Sequence, residues 1–474
     1  MRWGVRLIGL FSTVIVARLL VPADYGLIAM ASLVMTLVQV FIESDAGNAL
    51  LREPNASEAF QHSTWTIRFL QSLVLALVIS LAAPLASAYF REPRLEAVIW
   101  VFAVSVVVEG LSGLGPLLAR KDLSYGSEVK ILLASRVVNL VVTVGLALAW
   151  RNYWALVLGA VSGSFTSTAL SYLLHPYRPR IDFSHTRAIL GFSQWMILTF
   201  IGTFAARKVD GFVVGRIGSA ADLGSYNVGM ELGQMVTAEL GSPLSRALLP
   251  VLSTLHADPP RMRAAVMKTT AAMNTITLPA GIGLAAVAPV LVPVVLGPNW
   301  TSAVPILIAF AMMGAVRYLS GPYFALFMAE GRSRILAMMA WIEFAAFGIA
   351  VAFLFQFGVL GVVYARGVAT VIIVSTWLVL GHVNGLRLPV FFRVTWRPVL
   401  SCLLMVGCIV LLPVDHLRPV VQLALMVPVG ALVYVASIWC LWLAVGKPDG
   451  FESQIGERVK ALVANGRWAG RRAR

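Results

Sequence analysis

Residues 18–26 read RLLVPADYG, and residues 216–224 read RIGSAADLG. Arg18, Asp24 and Gly26 of the first are matched by Arg216, Asp222 and Gly224 of the second, at an offset of 198 residues. Working outward, Ala83-Pro84 followed by Pro93 is echoed by Ala288-Pro289 followed by Pro298. Gly115-Pro116 with Ala119 is likewise echoed by Gly321-Pro322 with Ala325, and these offsets are 205 and 206. The copies stay in register apart from one short insertion, so the chain reads as a duplication. Two similar helical halves that rock about a site held between them are a common way to build a membrane transporter.

Composition sets the class. Of 474 residues, 59% are hydrophobic and 12% charged, and the mean hydropathy is +0.84; that is too little polar surface for a soluble globule. The apolar runs are continuous and rich in Leu, Val and Ala instead of alternating, which selects spanning helices over a barrel. At about 20 residues per crossing, the first half predicts helices near 1–20, 24–45, 65–90, 97–119, 128–150 and 152–174. The second half predicts them near 190–215, 222–250, 268–297, 302–328, 333–356 and 358–382. Two more, near 397–414 and 419–446, have no counterpart in the repeat. The expected fold is an all-α polytopic membrane protein of about fourteen helices. Its organisation is a six-helix bundle over 1–182, its repeat over 183–385, an additional helix pair over 386–446 and a basic tail over 447–474.

Cytoplasmic loops gather Lys and Arg, so charge orients the chain. With fourteen spans both termini share a side, and 23 of the 37 basic residues fall on it. The opposite side has five (Arg91, Arg94, Arg151, Arg216 and Arg418), and nine lie within spans. This asymmetry predicts cytoplasmic termini and absorbs the net charge of +15 without any nucleic acid partner. The tail segment FESQIGERVKALV, residues 451–463, reads either as a short amphipathic surface helix on anionic lipid or as an ordinary solvated tail. Cys402, Cys408 and Cys440 form no CxxC pair and read as small apolar side chains. No cleavable signal is evident, and the leading segment is so short that a few native N-terminal residues are expected to be missing.

The search for catalytic chemistry is short. The chain has no GxxxxGK, HExxH or GxSxG, and its six histidines are scattered over loops and helix ends. The longest expected loops are under about 20 residues, the length of simple connections. An enzyme, a cofactor or a metal centre is therefore not expected. The tripeptides Asn55-Ala56-Ser57 and Asn299-Trp300-Thr301 read as chance sequons.

Function is best sought among ionisable residues at membrane depth, each of which costs several kcal/mol in lipid. There are sixteen. Ten belong to the first, second, seventh and eighth helices: Arg6, Arg18, Glu43, Asp45, Arg207, Lys208, Asp210, Glu231, Glu239 and Arg246. The other six, Arg68, Glu109, Arg136, Arg317, Glu343 and Arg366, lie on six different helices. The first and second helices are repeat partners of the seventh and eighth, so the bias marks equivalent walls of a polar cavity. Glu231, Glu239 and Arg246 are spaced by 8 and 7 residues, which keeps them on one helix face. Arg207 and Asp210 stand three apart and can pair, leaving Lys208 about 100° round the helix. For Arg18, Arg68, Asp45 and Arg246, near span ends, snorkelling to the interface is the competing reading. For Arg207, Lys208, Arg136, Arg317 and Arg366, the competing reading is a buried structural pair. Glu239 and Glu343 are the carboxylates deep enough to serve as a protonatable coupling group, and Asp210, Glu231, Arg246 and Glu43 complete the expected cavity lining.

The segments ARLLVPADYGLIAMA, DAGNALLRE, AAPLASAYFREPRLEAV and RKVDGFVVGRIGSAADLGSYNVGMEL resemble the oligosaccharide flippases, the Wzx-type polysaccharide transporters of the multidrug/oligosaccharidyl-lipid/polysaccharide exporter superfamily. The resemblance runs from about residue 10 to 382. It implies a V-shaped, alternating-access flippase that carries an undecaprenyl-diphosphate-linked oligosaccharide from the cytoplasmic to the periplasmic leaflet of a bacterial inner membrane, for O-antigen, capsule or exopolysaccharide synthesis. It also implies a polysaccharide polymerase and glycosyltransferases as partners, and coupling to H+ or Na+. A diphosphate cannot cross hydrocarbon alone, and fixed Arg and Lys side chains can replace its hydration. Arg207 and Lys208, beside the family's Asp position at Asp210, are the first candidates for the diphosphate, with Arg317 and Arg136 second. A lipid II flippase and a cationic drug exporter of the same superfamily are the alternatives, together with a non-transporting membrane subunit of a polysaccharide synthase. The drug exporter would want a carboxylate-dominated cavity, whereas the charge here leans basic.

Overall fold

The computed structural model describes residues 2–42, 46–53, 56–121, 124–186, 189, 194–255, 258–414 and 416–447. Glu43, Asp45 and the tail segment 451–463 therefore lie outside the described residues. In chain order the α-helices are α1 (Arg2–Leu19), α2 (Pro22–Ile42), α3 (Ala46–Arg52), α4 (Glu58–Phe90), α5 (Arg94–Gly110), α6 (Gly115–Lys121), α7 (Gly126–Trp150), α8 (Trp154–Leu173) and α9 (Gln194–Ile217). They continue with α10 (Ala220–Thr254), α11 (Pro259–Val295), α12 (Ala303–Arg317), α13 (Gly321–Ala329), α14 (Ser333–Leu354), α15 (Gly358–Val383), α16 (Leu388–Leu411) and α17 (Pro419–Ala444). No strand occurs among the described residues.

A helix or a bent helix pair lies at each of the fourteen expected segments. Eight described helices are long and apolar enough to cross a membrane, or ten if each of two bent pairs counts as one span. The helices start earlier than the hydropathy predicts. α4 has 33 residues, α10 has 35 and α11 has 37, lengths of about 50–55 Å at 1.5 Å per residue, against a hydrocarbon core of about 30 Å. They pass through polar turns because a good N-cap, such as Ser57 accepting from the Phe60 N–H at 3.2 Å, starts the helix where capping is best. The two bent pairs are α5–α6, at 51°, and α12–α13, at 43°. Each breaks just before its Gly-Pro, at Gly115-Pro116 and Gly321-Pro322, where proline takes an early helical position and fits without costing a hydrogen bond.

By contacts the chain divides into two compact units, residues 1–227 with 295–300 and residues 228–294 with 301–474. In the first, α4 packs on α5, α7 on α8, α1 on α7, and α2 on α4, α5 and α9. In the second, α12 packs on α15, α14 on α15, and α16 on α17. The additional pair is seated on α11 by a shared core of Leu278, Val287, Cys402, Met405, Ile409, Met426, Tyr434 and Ile438. Two hydrogen bonds orient it: Asn274 Nδ2 donates to Thr395 Oγ1 at 2.9 Å, and the Tyr434 hydroxyl to the Thr275 carbonyl at 2.7 Å. Cys402 is buried in this core, and all three cysteines are free thiols. Arg397, at the start of the helix expected over 397–414, instead lies well inside α16 with 5% exposure. The helix begins at Leu388 because Pro389 suits its first turn, which places Arg397 nearly three turns inside it.

The linker after α8 is strapped across the first turns of α4. Ser63 Oγ donates to Asp182 Oδ1 at 3.0 Å, the Asp182 N–H to Thr66 Oγ1 at 3.0 Å, and the Arg180 N–H to His62 Nδ1 at 3.4 Å. Hydrogen bonds from the Ser184 hydroxyl and backbone N–H hold the Asp182 carboxyl below its usual range. A lowered folded pKa means that its contribution is full above the ordinary carboxylate value and fades as pH falls through the lowered one. Asp182→Asn is therefore expected to speed hydrogen exchange across residues 178–186 several-fold at neutral pH, and acidification of the parent protein to below the ordinary carboxylate range to move exchange in the same direction. Unchanged exchange in the variant would show that the strap does not rest on this carboxylate.

Candidate functional site

The repeated Arg–Asp–Gly echo resolves into a two-fold related crossing of helix ends inside the first unit. Its aspartates are capping residues. Asp24, third in α2, accepts the Val21 N–H at 3.3 Å, and Asp222, third in α10, accepts both the N–H and the hydroxyl of Ser219 at 2.8 Å. Ser219 Oγ in turn accepts the Asp222 N–H at 3.2 Å, which completes a capping box. The Asp24 cap and the Ser219–Asp222 box hold the corners, α1 to α2 and α9 to α10, to two residues each, so the next helix starts at once.

The glycines let the two starting helices cross. A Cβ added at Gly26 would sit 1.6 Å from the Ala220 carbonyl oxygen, and one at Gly224 would sit 1.9 Å from that of Pro22 and 2.8 Å from the Gly26 nitrogen. Pro22 and Ala220 are themselves 198 residues apart, so the contact repeats under the same symmetry. Only hydrogen fits at either crossing point.

The arginines tie the corners to the ends of the long helices. Arg18 Nε donates to the Val295 carbonyl at 3.1 Å, at the end of α11, and the Arg216 guanidinium lies 5.6 Å over the ring of Tyr89, at the end of α4. Phe90 closes the second tie against Gly215, where an added Cβ would fall 2.5 Å from its ring. On the other side Trp300, fully buried, donates its indole N–H to the Ala17 carbonyl at 2.8 Å and meets the Tyr25 ring edge-on at 5.1 Å. Trp300 was legible only as part of a chance sequon. Its signal was a lone tryptophan just after a span, which ordinarily reads as an interface anchor.

Of the expected site residues, Asp210 on α9 is 3% exposed. Its Oδ2 accepts the Tyr226 hydroxyl at 2.9 Å, and its Oδ1 the Gly211 N–H at 2.9 Å. Tyr226 on α10 is fully buried, and no helical spacing links it to a partner sixteen residues away. Lys208 is exposed on the same helix, while the side chain of Arg207, and with it the expected Arg207–Asp210 pair, lies outside the described residues. Along α10, Glu231 is exposed, Glu239 half-buried, and Arg246 exposed with Nη2 donating to Ser242 Oγ at 3.3 Å. Arg136 is exposed on α7.

Two residues expected to act separately are joined in the second unit. Arg317 Nη1 and Nη2 reach Glu343 Oε1 and Oε2 at 3.0 and 3.4 Å. The Glu343 side chain is 11% exposed and that of Arg317 52%, so a buried carboxylate grips a half-open guanidinium. One turn along α14, Phe347 carries the Arg366 guanidinium at 5.3 Å from its ring centre. Among the described residues no group of three or more His, Cys, Asp or Glu could hold a metal ion.

A family model described as "Polysaccharide biosynthesis protein" matches residues 15–305. The lipopolysaccharide biosynthesis protein WzxC of Escherichia coli (strain K12) is 22% identical over 333 residues, which cover 69% of this chain and 67% of that protein. The teichuronic acid biosynthesis protein TuaB of Bacillus subtilis (strain 168) is 21% identical over 412 residues, 84% of each. Among solved structures, the lipid II flippase MurJ in its inward closed conformation covers 94% of this chain and 98% of its own, with a TM-score of 0.76 at 15% identity. That likeness shows the fold.

Proposed function

The chain belongs to the polysaccharide biosynthesis protein family, and on that premise we propose that it is a flippase. It carries an undecaprenyl-diphosphate-linked oligosaccharide across a bacterial inner membrane, cytoplasmic to periplasmic leaflet, with both termini in the cytoplasm. The reading is carried by one observation: ten of the sixteen charged residues at membrane depth fall in the first, second, seventh and eighth helices expected from the sequence, the repeat-related helices of a chain in this family.

The repeats, 1–182 and 183–385, supply the symmetry for alternating access. The glycine crossing is the shut gate on the periplasmic side, because the α1–α2 and α9–α10 corners lie opposite the basic loops. Arg207 and Lys208 on α9 receive the diphosphate, whose charge two fixed cations offset in place of water. Arg317 and Arg136 contact the anionic cargo further along. Asp210, Glu231, Glu239, Glu343, Arg246 and Glu43 line the polar path, and coupling to H+ or Na+ passes through its carboxylates. Glycosyltransferases upstream and a polymerase downstream are the functional partners.

Lipid analysis of a deletion strain tests the assignment. One polyprenyl-diphosphate oligosaccharide is expected to accumulate on the cytoplasmic leaflet, and its absence would overturn the reading. For coupling, Glu239→Gln is expected to slow cargo export at least about tenfold and to flatten its pH response; an unchanged rate and pH profile would remove Glu239 from that role.

A further inference from the structure

The two bent pairs are repeat partners, yet they are built differently. The α5–α6 break is held by four side chains on one face of α8. Ser171 Oγ accepts the Gly113 N–H at 2.8 Å, the Thr168 hydroxyl donates to the Val108 carbonyl at 2.9 Å, the Tyr172 hydroxyl donates to the Leu111 carbonyl, and Ser164 Oγ donates to Glu109 Oε1 at 2.6 Å. Backbone groups that a helix break leaves without an intrahelical partner are thereby satisfied by directional bonds, which fix the bend.

At the repeat offset of 206, Ser164, Thr168, Ser171 and Tyr172 correspond to Thr370, Val374, Trp377 and Leu378 on α15. The last three carry no hydroxyl. Past the second break, α13 instead meets α15 through rings, with Phe327 and Phe324 lying 5.7 and 6.4 Å from Trp377. Such apolar contact is non-directional and lets surfaces slide. What sits at the second break is the ion pair: Arg317 is the last residue of α12, and Glu343 holds it from α14. The next residue, Tyr318, lies against Gly241 of α10, where an added Cβ would fall 2.2 Å from its ring.

We infer that α5–α6 is a fixed kink latched by the hydroxyls of α8, whereas α12–α13 is the bend that moves. Glu343 is the positioning residue that holds it until an anion draws Arg317 away. The anion half of this statement rests on the flippase reading; the mechanical half does not. Arg317, half open, can meet a second anion while still paired; leaving Glu343 then releases the end of α12 from α14, and the buried carboxylate left behind favours its return once the anion has gone.

Hydrogen exchange on the full-length protein in lipid nanodiscs, with no cargo added, tests it. The Gly113 amide is expected to exchange at least about tenfold more slowly than those of Tyr318, Leu319 and Gly321. Glu343→Gln and Arg317→Gln should each speed exchange at 318–321 about tenfold while leaving 110–114 unchanged, with Glu343→Asp partly restoring the parent rate. Ser171→Ala with Tyr172→Phe should do the reverse. Equal rates at the two bends of the parent protein, or residues 318–321 unmoved in both Glu343→Gln and Arg317→Gln, would overturn the inference. The parent comparison stands even where a variant does not fold. No cargo is involved, so a failure here leaves the flippase reading intact, and a failed flipping assay leaves this result intact.

Discussion

Alanine at Gly26 or at Gly224 is expected to cut flipping roughly 5- to 150-fold, by holding the glycine crossing open. The atoms that a new Cβ would meet, at 1.6 and 1.9 Å, are backbone carbonyl oxygens that cannot rotate away. The helices must part instead. Overpacking a well-fitted contact costs about 1–3 kcal/mol, and at about 1.4 kcal/mol per factor of ten the shut state loses roughly 5- to 150-fold in population. The symmetry makes the two variants equivalent in kind. Accumulation of lipid-linked oligosaccharide in complemented deletion strains measures the loss, and thiol labelling of a cysteine placed at buried Ala220 should rise in Gly26→Ala. Gly145→Ala and Gly348→Ala, where an added Cβ meets nothing within 4 Å, are the controls and should flip at the parent rate. Parent-level flipping in both crossing variants would mean that the shut contact is not part of the cycle.

Arg207→Gln and Lys208→Gln are expected to have the second large effect. A hydrogen bond to a charged group contributes about 1.5–3 kcal/mol, so losing one cation from a diphosphate site should weaken cargo binding roughly 10- to 150-fold, and the double variant should lose flipping altogether. Lys208→Arg keeps the charge and should retain most activity, whereas Arg207→Lys gives up the planar two-pronged donor and should not. Equal losses with glutamine and with the charge-conserving replacements at both positions would point to packing instead of phosphate recognition. The readout is the same lipid accumulation, scored against total protein in the membrane.

How far the sequence carried the reading follows from the reach of each signal. The all-helical class and the place of each long apolar segment were legible, since hydropathy acts locally, whereas eight to ten of the described helices meet the length and hydropathy of a span against the fourteen expected. The arginine–aspartate–glycine echo was visible, but its three residues have separate tasks that only their neighbours reveal. The aspartates cap the starts of α2 and α10, the glycines admit a crossing, and the arginines meet Val295 and the Tyr89 ring. Arg317 and Glu343 were each singled out for depth, yet their pairing depends on α12 and α14 both packing on α15, which no local pattern states. Tyr226 beside Asp210 escaped for the same reason, being a long-range contact made through a corner. Arg397 stands at the start of the helix expected over 397–414, because hydropathy locates the apolar stretch, while Pro389 suits a first turn nine residues earlier.

Reconstitution tests the central claim most directly. Proteoliposomes that hold the purified protein and the lipid-linked oligosaccharide extracted from the deletion strain would be treated from outside with periodate, which oxidises only sugars it can reach. The expected result is that nearly all of the sugar becomes reachable when the parent protein is present, and that vesicles with the Arg207→Gln, Lys208→Gln double variant stop at the outer-leaflet share. Oxidation that halts at the outer-leaflet share with the parent protein would contradict the account.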